Sequence, residues 1–436
     1  DVYSPSIWAG WYRGKFTDYK SVSEKEMKQV KHFLHVEWGG DSHARRHAED
    51  PFKSLGGIPA GVGADERAGD FSLVGGDARA SRDGDWSESY IVKLVDWHLK
   101  EQETMTWLTG TAYWPFKDFS TPLRPENPVP YVNQKGVIER DFAKKEVFYV
   151  FQSYWTQKPM IHIYGHTWPT RWGAANEPKE ILVYSNCPAV ELFVNGVSQG
   201  IKQRNSQDFP AAGLHWKCVL REGENQLKAV AVKSKEAISD EITVAYQTAQ
   251  WGEPKQLKLT SYPEGENIIR VEAQLTDDKG IPCLDAANLI SFEAAGDGEL
   301  IQNLGTSTGS RKVQAYNGKA MIPIRSIGWN QDRLYSIEST MRKQNVSIGL
   351  FILLFSFTTV MAGENVKGQV RQLLQTETLK RADAALESVP KEAQEAFTTS
   401  IPKVTTGGRI RKTRPVRLSA VTEKPIRIIS PPTVMP

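Results

Sequence analysis

Along the first 155 residues, short apolar runs alternate with stretches whose apolar positions repeat at helical spacing. The opening DVYSPSIWAGWYRG is an apolar, aromatic run ending at Gly10-Trp11-Tyr12. In SVSEKEMKQVKHF, Met27 and Val30 share a face, and Ser23 and Glu26 stand at capping-box spacing. A strand over 33–37 comes next and ends in Glu37. The Gly- and Asp-rich stretch behind it, about 45 residues without periodicity, has the length of a functional loop. DWSESYIVKLVDWHLKEQE predicts a second helix, with Asp85 and Glu88 as its capping pair and Ile91, Leu94, Val95 and His98 along a face. LTGTAYWPFKDFS predicts a strand ending in Trp114, Lys117 and Asp118. KKEVFYVFQSYW predicts a last helix, with Val147, Phe151 and Tyr154 on one side. Such alternation implies a parallel α/β sheet. Polar and aromatic groups gather where the strands end, as they do around the site of a (β/α)8 barrel. Three strands cannot close a barrel, so the chain is expected to start in mid-domain.

Beyond Trp155 the period changes to two. KEILVYSNCPAVELFVNGVSQG alternates apolar and polar positions, and its Asn195-Gly196 pair is a strong hairpin signal. With GLHWKCVLREGENQLKAVAVKSKEAISDEITVAY it predicts one antiparallel β-sandwich over 158–248. TAQWGEPKQ reads as a linker, and the runs between 253 and 339 predict a second, immunoglobulin-like sandwich. Trp168, Trp172 and Trp216 are expected to pack against neighbouring elements; stacking on a sugar ring is the alternative for each.

The pattern breaks at Met341. Arg342 and Lys343, an apolar run from Ile348 to Val360, and small residues up to Gly363 follow in the order of a secretory signal peptide. The run is short for a membrane span, which needs ~20 apolar residues. A signal peptide acts at an N-terminus, so two reading frames are expected to be joined here, the first ending near Thr340. Residues 341–362 are then signal-like and 363–436 a short helix followed by a tail without a packed core. VKGQVRQLLQTETLKRADAALESVP resembles the first helix of alginate-lyase-like polysaccharide lyases. The basic, proline-studded stretch after Pro390 resembles a later segment of that family read one base out of frame.

Composition narrows the function. Among 436 residues the net charge is only +3 and no basic-aromatic module appears, so nucleic acid is not an expected partner. Thirteen tryptophans and fourteen tyrosines offer flat faces to sugars or to the core. Cys187, Cys218 and Cys283 are too few and scattered for a disulfide framework or a zinc site. Free buried thiols are expected, a Cys187–Cys218 bridge being the alternative. Glu37 carries the sharpest question, because a carboxylate at the end of an apolar strand is costly to bury unless paired or used.

The segments GWYRGKFTDY, FLHVEWGGDSHARRHAED, DGDWSESY and WPFKDFSTPLRPENPVPYVNQKG together resemble family 2 glycoside hydrolases, the β-galactosidase-like group, over residues 1 to about 340. The resemblance implies the C-terminal part of a (β/α)8 barrel over 1–157 and two accessory sandwiches behind it. Residues 1–12, 33–37 and 106–114 then correspond to barrel strands six, seven and eight. Glu37 matches the nucleophile, Tyr12 the strand-six tyrosine beside it, and Trp114 a strand-eight aromatic lining the sugar site. Trp11, His35, His43, Arg45, His47, Lys117 and Asp118 complete the expected substrate contacts. Tyr12, His35 and Arg45 or Arg46 are expected to keep Glu37 ionised.

A retaining glycosidase needs a second carboxyl group ~5–5.5 Å from the first. The family's acid/base is a glutamate following asparagine at the end of strand four, and no such pair occurs in residues 1–155. Asn176-Glu177 falls in the next domain, and Asn225 precedes Gln226. The polypeptide alone is therefore expected not to hydrolyse glycosides. His43 and His47 beside Asp41 and Glu37 raise a metal site as the rival, but Ala44 stands where zinc hydrolases of the His-Glu-x-x-His type place glutamate. No metal and no cofactor are expected.

The reading is thus a secreted or periplasmic β-glycosidase portion acting on an oligo- or polysaccharide, with no stable membrane span and an open oligomeric state. Galactose is the default sugar, and Lys117 and Arg45 would favour a uronate or sulfated one. The alternative from another class is a non-catalytic carbohydrate-binding or cell-surface β-sandwich protein.

Overall fold

The computed structural model describes residues 2–12, 14–53, 85–204, 214–232, 234, 236–265, 267–295, 298–301, 304–326 and 352–353. In the first part, strands β1 (Val2–Tyr3), β2 (His32–His35) and β3 (Leu108–Thr111) pair in parallel in the order β1-β2-β3. Tyr3 lies opposite Phe33, and His35 opposite Thr111. Helices α1 (Tyr19–Met27), α2 (Glu88–Thr104) and α3 (Glu146–Trp155) complete this part, α1 lying between β1 and β2 and α2 between β2 and β3 in the chain. The expected strand-helix alternation is present, and among the described residues the sheet is an open set of three strands.

The strands are shorter and the caps differ from the sequence expectation. β2 ends at His35, two residues before Glu37, and β3 at Thr111, three before Trp114. α1 begins at Tyr19, so Ser23 is not a cap; it is buried inside the helix and its hydroxyl donates to the Tyr19 carbonyl. At α2 the N-cap is Ser87, whose Oγ accepts the Tyr90 N–H, while Asp85 accepts from both the N–H and the hydroxyl of Ser87. The cap lies two residues from Asp85 because the Asx turn precedes the helix rather than opening it. One face of α2 buries Ile91, Leu94 and Val95, which join Val147, Val150 and Phe151 of α3 in the core. Each full burial of such a side chain contributes about 1.5–3 kcal/mol.

A short ribbon, β4 (Phe119–Ser120) with β5 (Val132–Asn133), leads from the sheet back to α3. Next comes a two-sheet unit of β6 (Ile161–Ile163), β7 (Thr170–Trp172), β8 (Pro178–Ser185), β9 (Ala189–Val194), β10 (Val197–Gln203), β11 (His215–Val219), β12 (Gly223–Val232) and β13 (Ser239–Gln247). Its sheets run β10-β9-β12-β13-β7 and β11-β8-β6 around a core that includes Val183, Leu192, Trp216 and Leu227. The pairing is antiparallel except that β7 lies parallel to β13. Asn195 and Gly196, both at positive φ, make the hairpin between β9 and β10.

A second unit holds β14 (Gln256–Gly265), β15 (Ile268–Thr276), β16 (Leu289–Ser291), β17 (Ala294–Ala295), β18 (Gly298–Leu300), β19 (Lys312–Gln314) and β20 (Lys319–Ser326). The order β14-β15-β20-β18 faces the pair β16-β19 across Val271, Phe292, Val313 and Ile322. Val129 and Val132, from the ribbon segment, complete that core. The three cysteines are free and buried. No helix among the described residues is long and apolar enough to cross a membrane. Apart from a two-residue strand, Ile352–Leu353, paired with β17, the signal-like segment and the tail lie outside the described residues, as does 54–84 of the long loop.

Candidate active site

Glu37 stands just past β2, half-buried, where the chain leaves the sheet. The turn that follows needs glycine. Gly39 has φ +133°, and a Cβ there would meet the Tyr113 ring at 2.4 Å. Trp38, fully buried, anchors the turn by donating its indole N–H to Thr111 Oγ1 (2.6 Å) on the neighbouring strand.

Around Glu37 the groups connect in a chain. Ser6 Oγ lies 3.5 Å from Glu37 Oε2 and accepts the Trp8 indole N–H at 2.9 Å. Trp8 packs edge-on against Tyr12, ring centroids 5.4 Å apart. The Tyr12 hydroxyl then receives two cations: Lys135 Nζ at 2.8 Å and Arg124 Nη2 at 2.6 Å. Lys135 is fully buried; Asp41 Oδ2, 2.9 Å away, neutralises it, and its ammonium lies over the rings of both Trp8 and Tyr12. Burial alone would pull the Lys135 ammonium pKa down, but Asp41 and Tyr12 outweigh it and raise it. The charge is therefore firm.

Arg124 and Lys135 belong to the segment WPFKDFSTPLRPENPVPYVNQKG, yet sequence reasoning singled out neither as a contact. Their available signal was cationic residues in a loop that follows the third strand. Nothing in residue spacing says that a lysine at 135 folds back beneath Tyr12.

Several expected site residues have other work. Trp11 is fully buried and meets Trp86 edge-on, so it is core. His35 is buried between the Tyr19 hydroxyl (2.8 Å) and the Ile7 carbonyl (3.0 Å) rather than offered to a sugar. Burial lowers its pKa to about 4, so near neutral pH it is uncharged. Asp118 is enclosed, accepting from Lys145 Nζ (2.9 Å) and the Gly136 N–H (2.8 Å). Burial, opposed by Lys145, raises its pKa to about 7.

The His43–His47 stretch forms a clasp on the two following units. His43 Nε2 faces the Gln314 carbonyl (2.8 Å) and its Nδ1 the Gln134 side chain (3.1 Å). His47 lies between the Tyr164 hydroxyl (2.8 Å) and Thr167 Oγ1 (2.9 Å), stacked flat on Trp168. Arg45 pairs with buried Glu139 and reaches Ser307 Oγ (2.6 Å); Arg46 donates to Gln314 and to the Ala315 carbonyl. Burial raises the Glu139 carboxyl, but Arg45 and the Ser307 N–H override it and hold the pKa below the usual range. In these bonds His35, Arg45 and Arg46, expected to steady Glu37, meet other groups.

Trp114 and Lys117 remain at the surface side of the site. Trp114 is 43% exposed, joined to Trp38 through its backbone N–H (3.0 Å) and edge-on to Phe119. Lys117 Nζ sits over the exposed Phe142 ring at 3.5 Å. Trp168 and Trp216 are buried packing residues. Glu177 pairs with Lys179 in the turn before β8.

Residues 176–239 match a family described as a domain of unknown function, DUF4982. A Formosa agariphila protein, provisionally named a beta-glucuronidase, is 43% identical over 332 residues, 76% of this chain and 40% of that one. A Bacteroides ovatus beta-galactosidase is 29% identical over 208 residues, 44% of this chain and 22% of its own. The crystal structure of Parabacteroides merdae beta-glucuronidase aligns with TM-score 0.71 at 70% identity, covering 74% of this chain and 41% of that one. Bacteroides uniformis beta-glucuronidase 3 aligns with TM-score 0.66 at 54% identity, covering 74% and 40%. The chain thus spans about two fifths of the length of these glucuronidase relatives.

Proposed function

From the kinship of residues 1 to about 340 with the C-terminal part of family 2 glycoside hydrolases, we propose that this segment carries the nucleophile side of a retaining β-glycosidase for an anionic sugar, a β-glucuronide foremost. In this reading β1, β2 and β3 are the last three strands of a (β/α)8 barrel, and the two-sheet units are accessory sandwiches, the second immunoglobulin-like. Glu37 attacks the anomeric carbon, with Trp114 as an aromatic wall.

The observation that carries the anionic sugar is the convergence of Arg124 and Lys135 on Tyr12, linked through Trp8 and Ser6 to Glu37. Asp41 pairs with Lys135, and Arg124 donates to the same hydroxyl. Cationic donors gathered at Tyr12 suit a carboxylate on the sugar ring, which they would bind through charge-assisted hydrogen bonds that a neutral hexose does not offer. The names of the relatives point the same way.

The reaction also needs a general acid. Among the described carboxyls with raised pKa, Glu88 and Asp118 are enclosed and bonded to their surroundings, and Glu101 lies in the last turn of α2, the end that leads into β3 rather than out of a strand, so none serves. The acid is therefore assigned outside the described residues. An activated 2-deoxy-2-fluoro-glycosyl fluoride, whose leaving group departs without protonation, tests the nucleophile by itself. Incubated with the purified chain, the glucuronyl reagent should add one glycosyl mass to the peptide holding Glu37, faster than the galactosyl reagent, and Glu37→Gln should abolish the adduct. Absence of any adduct on Glu37 with either reagent overturns the assignment.

A further inference from the structure

We infer that His162, His166 and Asp240 form a binding site for a zinc-type divalent cation, built from elements other than those that hold Glu37. Their ligand atoms all lie within 4.8 Å of one another. His162 sits on β6, His166 in the turn behind it, and Asp240 on β13, so the donors come from both sheets of the first two-sheet unit.

Each donor is oriented by a neighbour. His162 Nε2 meets Glu146 Oε2 at 2.8 Å, and Glu146 Oε1 accepts the Gly165 N–H at 3.1 Å. A carboxylate that fixes one nitrogen of an imidazole leaves the other as the donor, the arrangement that commonly supports metal-bound histidine. Tyr149 stacks on the His162 ring, centroids 3.5 Å apart, and so holds its plane. Asp240 Oδ2 accepts the Ile163 N–H (2.6 Å) and lies 2.7 Å from His166 Nε2.

The His162 and His166 rings are themselves stacked, 4.6 Å apart and 16° from parallel. An ion in the plane of His162 is reached by His166 only after that ring turns. Its side chain is 39% exposed, which leaves room for the turn. Asp240 then moves from a hydrogen bond with His166 to shared ligation. Two imidazoles and one carboxylate, with water in a fourth position, suit zinc; calcium and magnesium require more oxygen ligands than these residues supply. Bound there, the ion ties β6 to β13 beside the N-terminus of α3.

The test uses the full chain, freed of metal by a chelator and titrated with zinc sulfate by calorimetry, with Co2+ followed by visible absorption in parallel. One ion per chain, the absorption of tetrahedral Co2+, and an upward shift of the unfolding temperature with zinc are the expected results. His166→Gln and Asp240→Asn should each weaken binding about tenfold or more. His215→Gln, at a histidine paired with Glu180 on another strand, should leave it unchanged. Because His166 lies near the surface, its variant keeps the test open if Asp240→Asn does not fold. No saturable zinc binding by the parent chain, or binding undiminished in His166→Gln, overturns the inference.

Discussion

Asn317 holds the backbone of His47 from both sides: its Oδ1 accepts the His47 N–H at 2.9 Å, and its Nδ2 donates to the His47 carbonyl at 2.7 Å. The two residues lie 270 positions apart. Asn317 can do this because it occupies the turn between β19 and β20 at φ +45°, a left-handed conformation that asparagine tolerates. The loop that leaves Glu37 is therefore fixed by the most distant of the two-sheet units. Asn317→Gly keeps the backbone conformation and removes both bonds, together with the one its Nδ2 donates to the Leu284 carbonyl (2.9 Å). It should cost about 1–3 kcal/mol through the orphaned backbone groups of His47. Urea unfolding measures the loss, and faster amide exchange at residues 43–48 should accompany it.

The Arg45–Glu139 pair makes a second attachment in the same clasp. Glu139 is enclosed and also accepts the Ser307 N–H at 2.6 Å, while the Arg45 side chain is 23% exposed. Removing the negative charge leaves a guanidinium in a poorly solvated place. Glu139→Gln should destabilise the chain by about 3 kcal/mol, near the lower end for a broken buried pair because Arg45 retains some water. Denaturant titration of the variant checks this; a loss under ~0.5 kcal/mol would show that the pair adds little.

The open parallel arrangement and the two β-rich units could be read from the sequence, because periods of 3.6 and 2 are imposed locally by which face each residue buries. Glu37 at a strand end could be read for the same reason. What could not be read is how the side chains are spent. His43, His47 and Arg45 look like ligand contacts beside an acid, yet their partners are Gln314, Tyr164, Thr167, Glu139 and Ser307, all remote in sequence. Arg124 and Lys135 are the converse: two ordinary cations in a loop until tertiary folding brings them to one hydroxyl. Caps failed for a more local reason. Ser23 and Glu26 fit a capping box by spacing, but Tyr19 and Val22 are buried and draw the helix start one turn earlier.

Acid stability should depend on His47. Burial, with Arg171 and Arg45 nearby, lowers its pKa to about 3. Between that value and the ordinary 6.5, the unfolded chain binds a proton that the folded chain does not, so stability is full above pH 6.5 and falls as pH drops. Asp118 has the opposite sign. Its pKa is raised to about 7, so its contribution is present at low pH and is lost as pH rises from 3.8 toward 7. The two slopes partly cancel in the parent chain. Against the background that buried His35, His43, His98 and Glu88 give to every chain, His47→Gln should lose a component that rises with pH relative to the parent, and Asp118→Asn a component that falls with pH. Unfolding free energies measured from pH 4 to 7 separate them; parallel curves for both variants would count against the assignment.

The proposed sugar preference rests on two cations that are not equivalent as probes. Lys135 is buried against Asp41, so replacing it strands a buried carboxylate and confounds binding with folding. Arg124 is half-buried and reaches the Tyr12 hydroxyl from the ribbon segment, so its loss leaves the Lys135–Asp41 pair in place. Arg124→Gln should therefore lower the labelling rate by the glucuronyl fluoride about tenfold, which corresponds to ~1.4 kcal/mol of lost interaction with a carboxylate. The galactosyl reagent, with no charge to lose, should change little. Raising the ionic strength should shrink the parent's preference in the same direction, since part of it is attraction between charges that solvent can reach. Equal losses for the two reagents would place Arg124 in support of Tyr12 alone and remove the charge argument for a uronate.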